Sequence, residues 1–413
     1  MFETDWLKKW NLYSPHAIAL KDADSETEIS YSKFFEFSNR LARGLKNQFG
    51  IREGDRIACL AFNELEYIIL FFAAQRLGAI LVPINFRLTA REMTHIISDC
   101  SPKLLVFQKS FETIIKDIPP NHLPQYQIYF EENMPYQSPH SSLMSMIYNT
   151  QNSSEYLPMQ GNEDTKCMIL YTSGTTGAPK GAMITLGMLF WNSINTSLRL
   201  NIIQSDVTLS FLPLFHTGGW NVLTTPFIHR GAKVILLKKF EAERILKLCE
   251  TEKVSILFGV PTMLDMMYQT PIFDEVSLKS VRYAIVGGEP MPIKLIQIWQ
   301  EKGIPIRQGY GLTEFGPNVF SLNQEDSERK IGSIGFPNFY IEAKIIGEHG
   351  EELGDNQVGE LVLKGPSSSA GYWNHPEATA QTIKNGWLHT GDLVRRDSEG
   401  YYYVVGRKKR YVY

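Results

Sequence analysis

The hydrophobic pattern of the first part of the chain alternates between a helical period and short apolar runs. Apolar residues recur at helical spacing up to Gly50, a helix stop, with Ser30 or Ser32 as the N-cap. A more apolar helix is predicted from Asn63, as its cap, to Gly78. Short apolar runs predict buried strands at residues 55–62, 79–84 and 103–108. This alternation favours a doubly wound α/β architecture.

Residues 131–165 interrupt the pattern, because they are polar and irregular. They fit either a domain linker or a surface excursion between two α/β halves, and the usual lengths of loops favour the excursion. The alternation then resumes. Strands are predicted at residues 233–240, 254–260, 281–288 and 304–311, and helices at 241–252 and 292–303.

Glycines and short β-like runs dominate after about residue 321, which predicts a smaller, mainly antiparallel β subdomain. With 413 residues, the chain fits either two or three domains or one large domain with subdomains. Its predicted parts are two α/β subdomains at about 1–165 and 166–320 and a β-rich subdomain at about 321–405.

Composition narrows the class of protein. The 413 residues are 43% hydrophobic and 21% charged, with a net charge of −3, so there is no basic excess for nucleic acid. Four widely spaced cysteines argue against a zinc site or disulfides and favour a reducing compartment. The first residues lack the layout of a signal peptide, and the longest apolar run, 67–74, is too short for a bilayer. We expect a cytoplasmic protein, with peripheral membrane contact and a homodimer left open.

The string "YTSGTTGAPKG", residues 171–181, is the first candidate for chemistry. It lies between two predicted strands, 167–172 and 181–185, and a helix pattern follows at 186–200. It departs from the Walker A pattern, because Pro179 precedes Lys180. Its glycines would let backbone N–H groups surround an anion, and its hydroxyls and Lys180 would add donors and charge. A solvated hairpin turn is the alternative.

This string resembles the signature of the adenylate-forming enzymes, which include acyl-CoA synthetases, peptide-synthetase adenylation domains and beetle luciferases. Further motifs follow in family order over essentially the whole chain, and the likeness is strongest to fatty-acyl-CoA synthetases and their 4-coumarate–CoA ligase relatives. The resemblance implies the large N-terminal domain of that fold, over residues 1–405. It also implies that ATP phosphates are held by Thr172, Ser173, Gly174, Thr175, Thr176, Gly177 and Lys180.

The string "LPLFHTGGW" contains His216 and Trp220. A lone His is more often structural, but the resemblance implies that His216 borders the carboxylate as it meets the α-phosphate. The glycine pair after it would let backbone approach a ligand. Trp220 resembles the gate of the acyl tunnel in long-chain fatty-acyl-CoA synthetases, and a plain core position is an equal alternative.

Two further strings resemble adenine-side segments. "VGGEPM" would pass flat against a ring, with Gly287 also bordering the acid, unless it is a plain turn. In "QGYGLTE", Tyr310 would stack on adenine and Thr313 would donate to the α-phosphate. Glu314, with Thr172, matches the family's Mg²⁺ position, and a solvated surface Glu is the alternative. The predicted nucleotide-binding residues of these strings are Gly288, Glu289, Pro290, Gln308, Gly309, Tyr310, Gly311 and Thr313.

Two charged residues near the end match the family's ribose side. Asp392 in "WLHTGDL" would accept hydrogen bonds from both ribose hydroxyls. Arg407 in "GYYYVVGRKK" would lie on the same side, although an Arg in a charge run is usually just solvated. The spacing between the two residues favours the functional interpretation.

The resemblance implies an acid–thiol ligase that works in two steps. A carboxylate attacks the α-phosphate of ATP to give acyl-AMP and pyrophosphate, and a thiol, usually coenzyme A, then displaces AMP. Such chemistry depends on positioning and on neutralising phosphate charge. The predicted catalytic set is therefore Thr172, Lys180, His216 and Glu314, with Mg²⁺.

The sequence leaves the acid open. Amino-acid-activating relatives commonly carry an Asp near this His to hold the substrate amine, whereas residues 213–226 contain no acidic side chain. An uncharged hydrophobic tail is favoured, either a medium or long fatty acid or an aryl acid. A carrier-protein thiol in place of coenzyme A stays open. The alternatives are an acyl-AMP ligase serving a carrier protein and a catalytically defective nucleotide- or acyl-binding remnant.

The tail "GRKKRYVY" departs from the family, because Arg410 stands where the hinge Asp is expected. Relatives often continue Lys-Lys-Asp-Met-Tyr-Ile-Ser into a second domain that carries a catalytic Lys. Suitable codons can be written for that string. If one adenine is then inserted into the run of adenines, the new reading frame encodes Lys-Lys-Arg-Tyr-Val-Tyr and a stop, which is the tail from Lys408 to Tyr413. The sequence therefore predicts a frameshift, residues 406–413 as a hinge remnant, and impaired catalysis.

Overall fold

The computed structural model describes residues 4–131, 142–149, 153–172 and 178–408. Helices within these residues are α1 (Trp6–Tyr13), α2 (Tyr31–Phe49), α3 (Leu65–Arg76), α4 (Ala90–Cys100), α5 (Glu112–Lys116), α6 (Leu143–Tyr148), α7 (Leu186–Leu200), α8 (Thr217–Trp220), α9 (Thr224–Arg230), α10 (Ala242–Thr251), α11 (Pro261–Tyr268), α12 (Ile293–Glu301) and α13 (Pro376–Thr382). Strands are β1 (Ile18–Asp22), β2 (Glu28–Ser30), β3 (Arg56–Leu60), β4 (Ile80–Pro83), β5 (Leu104–Phe107), β6 (Tyr126–Tyr129), β7 (Lys166–Thr172), β8 (Lys180–Thr185), β9 (Val207–Ser210), β10 (Lys233–Leu236), β11 (Ile256–Gly259), β12 (Tyr283–Val286), β13 (Ile306–Tyr310), β14 (Phe320–Ser321), β15 (Phe336–Pro337), β16 (Glu342–Ile346), β17 (Gly359–Lys364), β18 (Ile383–Lys384), β19 (Trp387–Arg396) and β20 (Tyr402–Arg407).

Local sequence signals set the ends of two helices. In α2, the Ser30 side chain accepts a hydrogen bond from the N–H of Lys33, and Gly50 ends the helix in the left-handed conformation with φ 61°. In α7, the Thr185 side chain accepts from the N–H of Met188. Both helices therefore begin at a hydroxyl residue, and Ser30, not Ser32, is the N-cap of the first.

The predicted cap of α3 is wrong. Glu64 is the N-cap residue, and its side chain makes no capping bond. The Asn63 side chain is buried and donates to the carbonyls of Leu212 (3.0 Å) and Leu237 (3.2 Å). Its oxygen accepts from the N–H of Leu214 at 3.0 Å. Asn63 thus joins distant loops, because a buried amide needs partners on both of its ends.

Two sheets of the α/β part draw on both predicted halves. The six-stranded sheet has the order β6-β5-β3-β4-β7-β8, and it is parallel except for the antiparallel β7–β8 pair. The four-stranded sheet has the order β2-β1-β10-β9. Each sheet takes strands from both 1–165 and 166–320, and the domain boundary at residue 165 stays a prediction.

A mixed five-stranded sheet, β11-β12-β13-β14-β15, carries the second half of the site. Its first three strands are parallel and its last two pairs are antiparallel. It meets the four-stranded sheet between β9 and β11, where the N–H of Ser255 donates to the Val207 carbonyl at 2.9 Å. The Thr208 hydroxyl donates to the Ile256 carbonyl beside it, also at 2.9 Å.

The β-rich part is an antiparallel sheet in the order β16-β17-β19-β18, with β20 paired to β19. It has its own apolar cluster, which includes Leu361, Leu363, Leu388 and Val394. The predicted α/β class with a smaller antiparallel subdomain is therefore confirmed.

The polar segment 131–165 is less irregular than its composition indicates. It contains α6, whose Leu143, Met146 and Ile147 are buried in the main apolar cluster. Met146 lies against Gly44 of α2, where a Cβ would be 2.9 Å from its sulfur. The prediction for this segment also covers residues 132–141 and 150–152, which lie outside the described ranges.

None of the helices in the described ranges combines the length and the apolar character that a membrane span requires.

Candidate active site

The hairpin of β7 and β8 carries the predicted phosphate loop. Thr172 at the end of β7 lies opposite Lys180 at the start of β8. The predicted strand–loop–strand arrangement, followed by a helix, is confirmed by β7, β8 and α7. Five residues of the predicted loop lie outside the described residues: Ser173, Gly174, Thr175, Thr176 and Gly177. The hairpin thus brings a hydroxyl and an ammonium group to the two ends of the loop.

Glu314 meets this hairpin through a tyrosine. The Tyr372 hydroxyl donates a hydrogen bond to Glu314 Oε1 at 2.8 Å, and Lys180 Nζ lies 5.8 Å from the centre of the Tyr372 ring. All three residues are half-buried. They form the phosphate-side cluster, defined here as Lys180, Glu314 and Tyr372. A cation, a carboxylate and a hydroxyl are therefore gathered at the base of the loop.

Tyr372 escapes sequence reasoning because its segment is short. Residues 369–373 run antiparallel beside β8, where the N–H of Met183 donates to the Gly371 carbonyl (2.9 Å) and the N–H of Trp373 to the Gly181 carbonyl (2.8 Å). The string "SAGYW" is too short for a strand periodicity to be recognised. The only local signal is Gly371, which has φ 94° and would strain any other residue.

A second cluster forms where the β-rich part meets β13. The Tyr310 hydroxyl donates to Asp392 Oδ2 at 2.6 Å, and Arg407 Nε pairs with Asp392 Oδ1 at 2.8 Å. Asp392 on β19 and Arg407 on β20 are register partners. Burial, and then the Asp392 charge, raise the pKa of Tyr310 well above its usual value, so the hydroxyl stays protonated and donates. Tyr310, Asp392 and Arg407 are the nucleoside-side cluster.

Glu360 supports this cluster through the backbone next to Asp392, and sequence reasoning missed it. Its Oε1 accepts from the N–H of Gly391 at 3.2 Å, next to Asp392, and its Oε2 pairs with Lys408 Nζ at 3.1 Å. Burial alone would raise the pKa of Glu360, but Lys408 and His389 lower it overall. Glu360 is therefore charged at neutral pH and fixes the turn that presents Asp392.

A short, tightly folded segment joins the two clusters. Tyr310 and Glu314 are four residues apart, so their Cα atoms are at most about 14 Å apart. Between them, Thr313 is buried, and a Cβ on Gly311 would lie 2.1 Å from the Pro317 carbonyl oxygen. Gly311 is thus required by backbone packing. The predicted adenine and metal residues are held at a fixed spacing.

Gln308 and Gly309 precede this segment on β13. The buried Gln308 amide accepts from the N–H of Met291 (3.3 Å) and donates to the Ser333 carbonyl (3.3 Å). Its side chain is therefore occupied in tying β13 to the "VGGEPM" turn. A Cβ on Gly309 would meet only ordinary contacts, the nearest being the Phe320 carbonyl oxygen at 3.6 Å.

The "VGGEPM" turn is open on one side. Gly288 has φ 88°, which favours glycine, and Glu289 and Pro290 are exposed. The last two border a depression of about 460 Å³ between α11 and α12, whose lining also includes Tyr268 and Leu295. The turn therefore presents backbone and a carboxylate beside a partly apolar hollow.

The two segments predicted to border the acid lie side by side. The Phe258 ring is 3.7 Å from the Cβ position of Gly218 and 4.0 Å from that of Gly287. Phe258 is thus an apolar side chain between the "FHTGGW" and "VGGEPM" strings that sequence reasoning missed. In the sequence, its strand β11 shows only a short apolar run, which is typical of any buried strand.

His216 caps the short helix α8. Its Nδ1 accepts from the N–H of Gly218 at 3.0 Å, so Nε2 carries the proton of the neutral ring. The residue is exposed, yet desolvation by the surrounding protein still lowers the pKa of His216. At neutral pH it is therefore a neutral donor. A Cβ on Gly219 would lie 2.4 Å from the Pro213 carbonyl oxygen, so backbone packing requires this glycine, and the expected ligand approach at the glycine pair stays a prediction.

Trp220 lies in the core. Its side chain is completely buried, and the indole N–H donates to the Leu214 carbonyl. The Tyr67 and Phe71 rings pack against it, with centroids 5.7 and 5.0 Å away. Of the two open alternatives, these contacts favour the core position.

The donor set fits Mg²⁺ better than a metal held by protein alone. Magnesium is usually bound by one or two carboxylates together with substrate phosphates and waters. Glu314 is such a carboxylate, and no group of three or more His, Cys, Asp or Glu gathers at a metal distance among the described residues. Thr172 ends β7 at the predicted phosphate loop, and Glu314 is linked through Tyr372 to Lys180 at the other end of that loop, so the two residues would contribute to such a site.

Comparison with known proteins places this arrangement in a family. Residues 7–373 match the family model described as AMP-binding enzyme. The feruloyl-CoA synthase of an Amycolatopsis species is 34% identical over 399 residues, 96% of this chain and 76% of that protein. The long-chain-fatty-acid–CoA ligase FadD13 of Mycobacterium tuberculosis is 33% identical over 403 residues, with the same two shares.

The fold agrees. The inhibitor-bound N-terminal domain of FACL13 from Mycobacterium tuberculosis superposes with a TM-score of 0.89 at 32% identity, covering 98% of this chain and 99% of that one. This confirms the predicted resemblance and the predicted fold. The chain belongs to the AMP-binding enzyme family, the adenylate-forming enzymes whose relatives here are CoA ligases.

Proposed function

We propose that this protein activates a hydrophobic carboxylic acid with ATP and passes the acyl group to coenzyme A. The supporting observation is the pair of clusters joined by residues 310–314. Tyr310, Asp392 and Arg407 supply an aromatic ring, a hydrogen-bond acceptor and a cation on one side. Lys180 and Glu314 supply a cation and a carboxylate at the phosphate loop on the other side.

The proposed chemistry has two displacements. A carboxylate oxygen bonds to the α-phosphorus of ATP, and the bond to the bridging oxygen breaks, so that pyrophosphate leaves and acyl-AMP forms. The thiolate of coenzyme A then bonds to the acyl carbon, and AMP leaves with the electron pair of the carbon–oxygen bond. No nucleophilic side chain is needed, because carboxylate and thiolate are themselves nucleophiles.

Each residue has a proposed role in holding the reactants. Asp392 accepts from the ribose hydroxyls, and Tyr310 lies against adenine. Lys180, Thr172 and Thr313 bind phosphate oxygens, and Glu314 with Thr172 holds Mg²⁺. When bound, Mg²⁺ supplies charge neutralisation on the phosphates.

The neutral His216 ring donates a hydrogen bond from its Nε2–H to the acid carboxylate as that group reaches the α-phosphorus. A hydrogen bond to an ionised acceptor is shorter and stronger than one between neutral groups. The remaining residues around the nucleotide shape its pocket: Ser173, Gly174, Thr175, Thr176, Gly177, Gly288, Glu289, Pro290, Gln308, Gly309 and Gly311.

The acid is proposed to be hydrophobic. Residues 213–226 contain no acidic side chain that could hold a substrate amine. Phe258 lies between the two acid-side segments, close to Gly218 and Gly287. The relatives carry the names of ferulate, an aryl acid, and of long-chain fatty acids. Both classes fit an apolar lining, and a fatty acid is the substrate we favour.

ATP–pyrophosphate exchange with a panel of acids, followed by detection of the thioester, tests the proposal. Medium- and long-chain fatty acids and cinnamic-type acids should support exchange, and amino acids should not. Adding coenzyme A should then convert the activated acid into a thioester. ATP binding without exchange for any acid would contradict the proposed activity, and exchange that prefers an amino acid would contradict the proposed substrate class.

A further inference from the structure

Tyr372 occupies a position that the proposed catalytic set leaves unexplained. Its hydroxyl reaches the Glu314 carboxylate, and its ring faces Lys180. It therefore contacts both the proposed metal ligand and the proposed phosphate cation without being either of them.

The segment that carries Tyr372 is anchored on several sides. Next to it, the Trp373 indole N–H (3.3 Å) and the Asn374 amide (2.9 Å) both donate to the Asp99 carbonyl at the end of α4. The Asp99 carboxylate accepts from the Tyr171 hydroxyl at 2.6 Å, which ties the same anchor to β7. These contacts hold residues 369–374 against the hairpin of the phosphate loop.

The anchoring continues to Glu314 itself. The N–H of Ser369 donates to the Glu314 carbonyl at 2.8 Å, and the N–H of Tyr372 donates to the Thr379 hydroxyl at 2.9 Å. Backbone and side chain of Glu314 are thus both held by residues 369–372. A side chain fixed in this way approaches a ligand in one orientation, and less rotamer entropy is lost when the ligand binds.

The hydrogen bond engages one carboxylate oxygen. Tyr372 donates to Oε1, and within the described ranges Oε2 makes no hydrogen bond or ion pair. Oxygen ligands of metals are usually oriented by such outer partners, whose loss typically costs about 10- to 100-fold in metal affinity. The phenol is well suited to this because it donates to the carboxylate and does not compete for the cation.

We propose that Tyr372 is a positioning residue that orients Glu314 so that Oε2 binds the divalent cation of the ATP complex. The inference rests on the proposed role of Glu314 and deepens it. It assigns to Tyr372 no contact with the reacting atoms.

Tyr372→Phe tests this, because it removes the hydroxyl and keeps the ring that faces Lys180. ATP affinity is measured by calorimetry without acid, first in EDTA and then over a Mg²⁺ series. The Mg²⁺ concentration for half-maximal ATP affinity should rise about 10-fold or more. ATP affinity in EDTA and the melting temperature should change little. An unchanged Mg²⁺ requirement would overturn the proposal.

Tyr401→Phe is the matched control, since the Tyr401 hydroxyl donates to Asp326 Oδ2 at 2.6 Å, away from the site. It should leave the Mg²⁺ requirement as in the unmodified protein. A Mg²⁺ shift in this variant as large as that of Tyr372→Phe would show a general structural effect and would overturn the positioning role.

Glu314→Gln separates the inference from the proposed site. If this variant loses the Mg²⁺ dependence while Tyr372→Phe keeps it, only the positioning role is wrong. If Glu314→Gln keeps the Mg²⁺ dependence, the proposed metal role is wrong, and the inference falls with it. In the Glu314→Gln background, Tyr372→Phe should have no further effect on Mg²⁺, and an additional shift would contradict action through Glu314.

Discussion

Replacement of Asp392 by Asn is expected to weaken ATP binding and to leave folding nearly unchanged. Asn has the same shape, and its amide oxygen can still accept from the Tyr310 hydroxyl. The ion pair with Arg407 is lost, but the Arg407 side chain is 64% exposed. A pair with one strongly exposed partner is screened by solvent and is worth about 1 kcal/mol, so the melting temperature should fall only slightly.

The cost to ATP binding should be much larger. The Asp392 side chain is 14% exposed and in the proposed site accepts from two ribose hydroxyls. A hydrogen bond to a charged group contributes roughly 1.5–3 kcal/mol, and Asn weakens both bonds. A total loss of about 3 kcal/mol corresponds to roughly 100-fold weaker binding. The affinity for the free acid should not change.

Calorimetric titration with ATP and with 2′,3′-dideoxy-ATP isolates the ribose contact. The unmodified protein should prefer ATP, and Asp392→Asn should bind the two nucleotides about equally. Asp355→Asn is the control. Asp355 forms an ion pair of 2.8 Å with Arg396, which lies on β19 like Asp392 but away from the site. If Asp392→Asn discriminates between the nucleotides as well as the unmodified protein does, Asp392 does not bind the ribose.

Three further outcomes are expected. Glu314→Gln should abolish Mg²⁺-dependent ATP binding with a melting temperature within a few degrees, and a large stability loss with intact Mg²⁺ dependence would reverse this role. Trp220→Ala should lower the free energy of unfolding by about 3–5 kcal/mol in denaturant titrations, and a loss below about 1 kcal/mol would contradict its core position. Burial, then the Arg230 charge, lower the pKa of His229 from 6.5 to about 4. The unfolded chain therefore takes up this proton first, and the free energy of unfolding should fall by about 3 kcal/mol as the pH drops from 6.5 to 4. In His229→Gln the unfolding free energy should decline less over this range, and an equal decline would refute the assignment.

Local chemistry explains which parts of the fold could be predicted. The cap of α2 at Ser30 and its glycine stop at Gly50 are signals contained within the helix itself. The hairpin of β7 and β8 follows from two apolar runs around a loop rich in glycine. Such features need no knowledge of distant residues.

Long-range contacts explain the parts that could not be predicted. Asn63 has the residue type of a helix cap, but its partners Leu212 and Leu237 are 149 and 174 residues away. The polar composition of residues 131–165 conceals α6, a helix of six residues whose Leu143, Met146 and Ile147 enter the core with Met144 and Tyr148 packed against it. Tertiary partners decide both cases, and a local pattern does not contain them.

The residues of the candidate site also divide into those with a local sequence signal and those without one. Motif strings brought attention to Tyr310, Glu314 and Asp392, which the fold gathers into two clusters. Tyr372 and Phe258 belong to strings without a chemical pattern, and they became visible only as neighbours of those residues. The motif strings therefore predicted residues that the fold brings together, whose roles stay predictions, and the supporting residues could not be predicted.

The most direct measurement follows the oxygen atoms of the acid. The protein is incubated with ATP, Mg²⁺ and a fatty acid whose carboxylate carries ¹⁸O, and hydroxylamine or coenzyme A then releases AMP for mass spectrometry. Attack by the carboxylate on the α-phosphorus leaves one labelled oxygen on AMP, and this is the expected result. Unlabelled AMP, or label that appears in inorganic phosphate together with ADP, would contradict adenylation as the reaction of this protein.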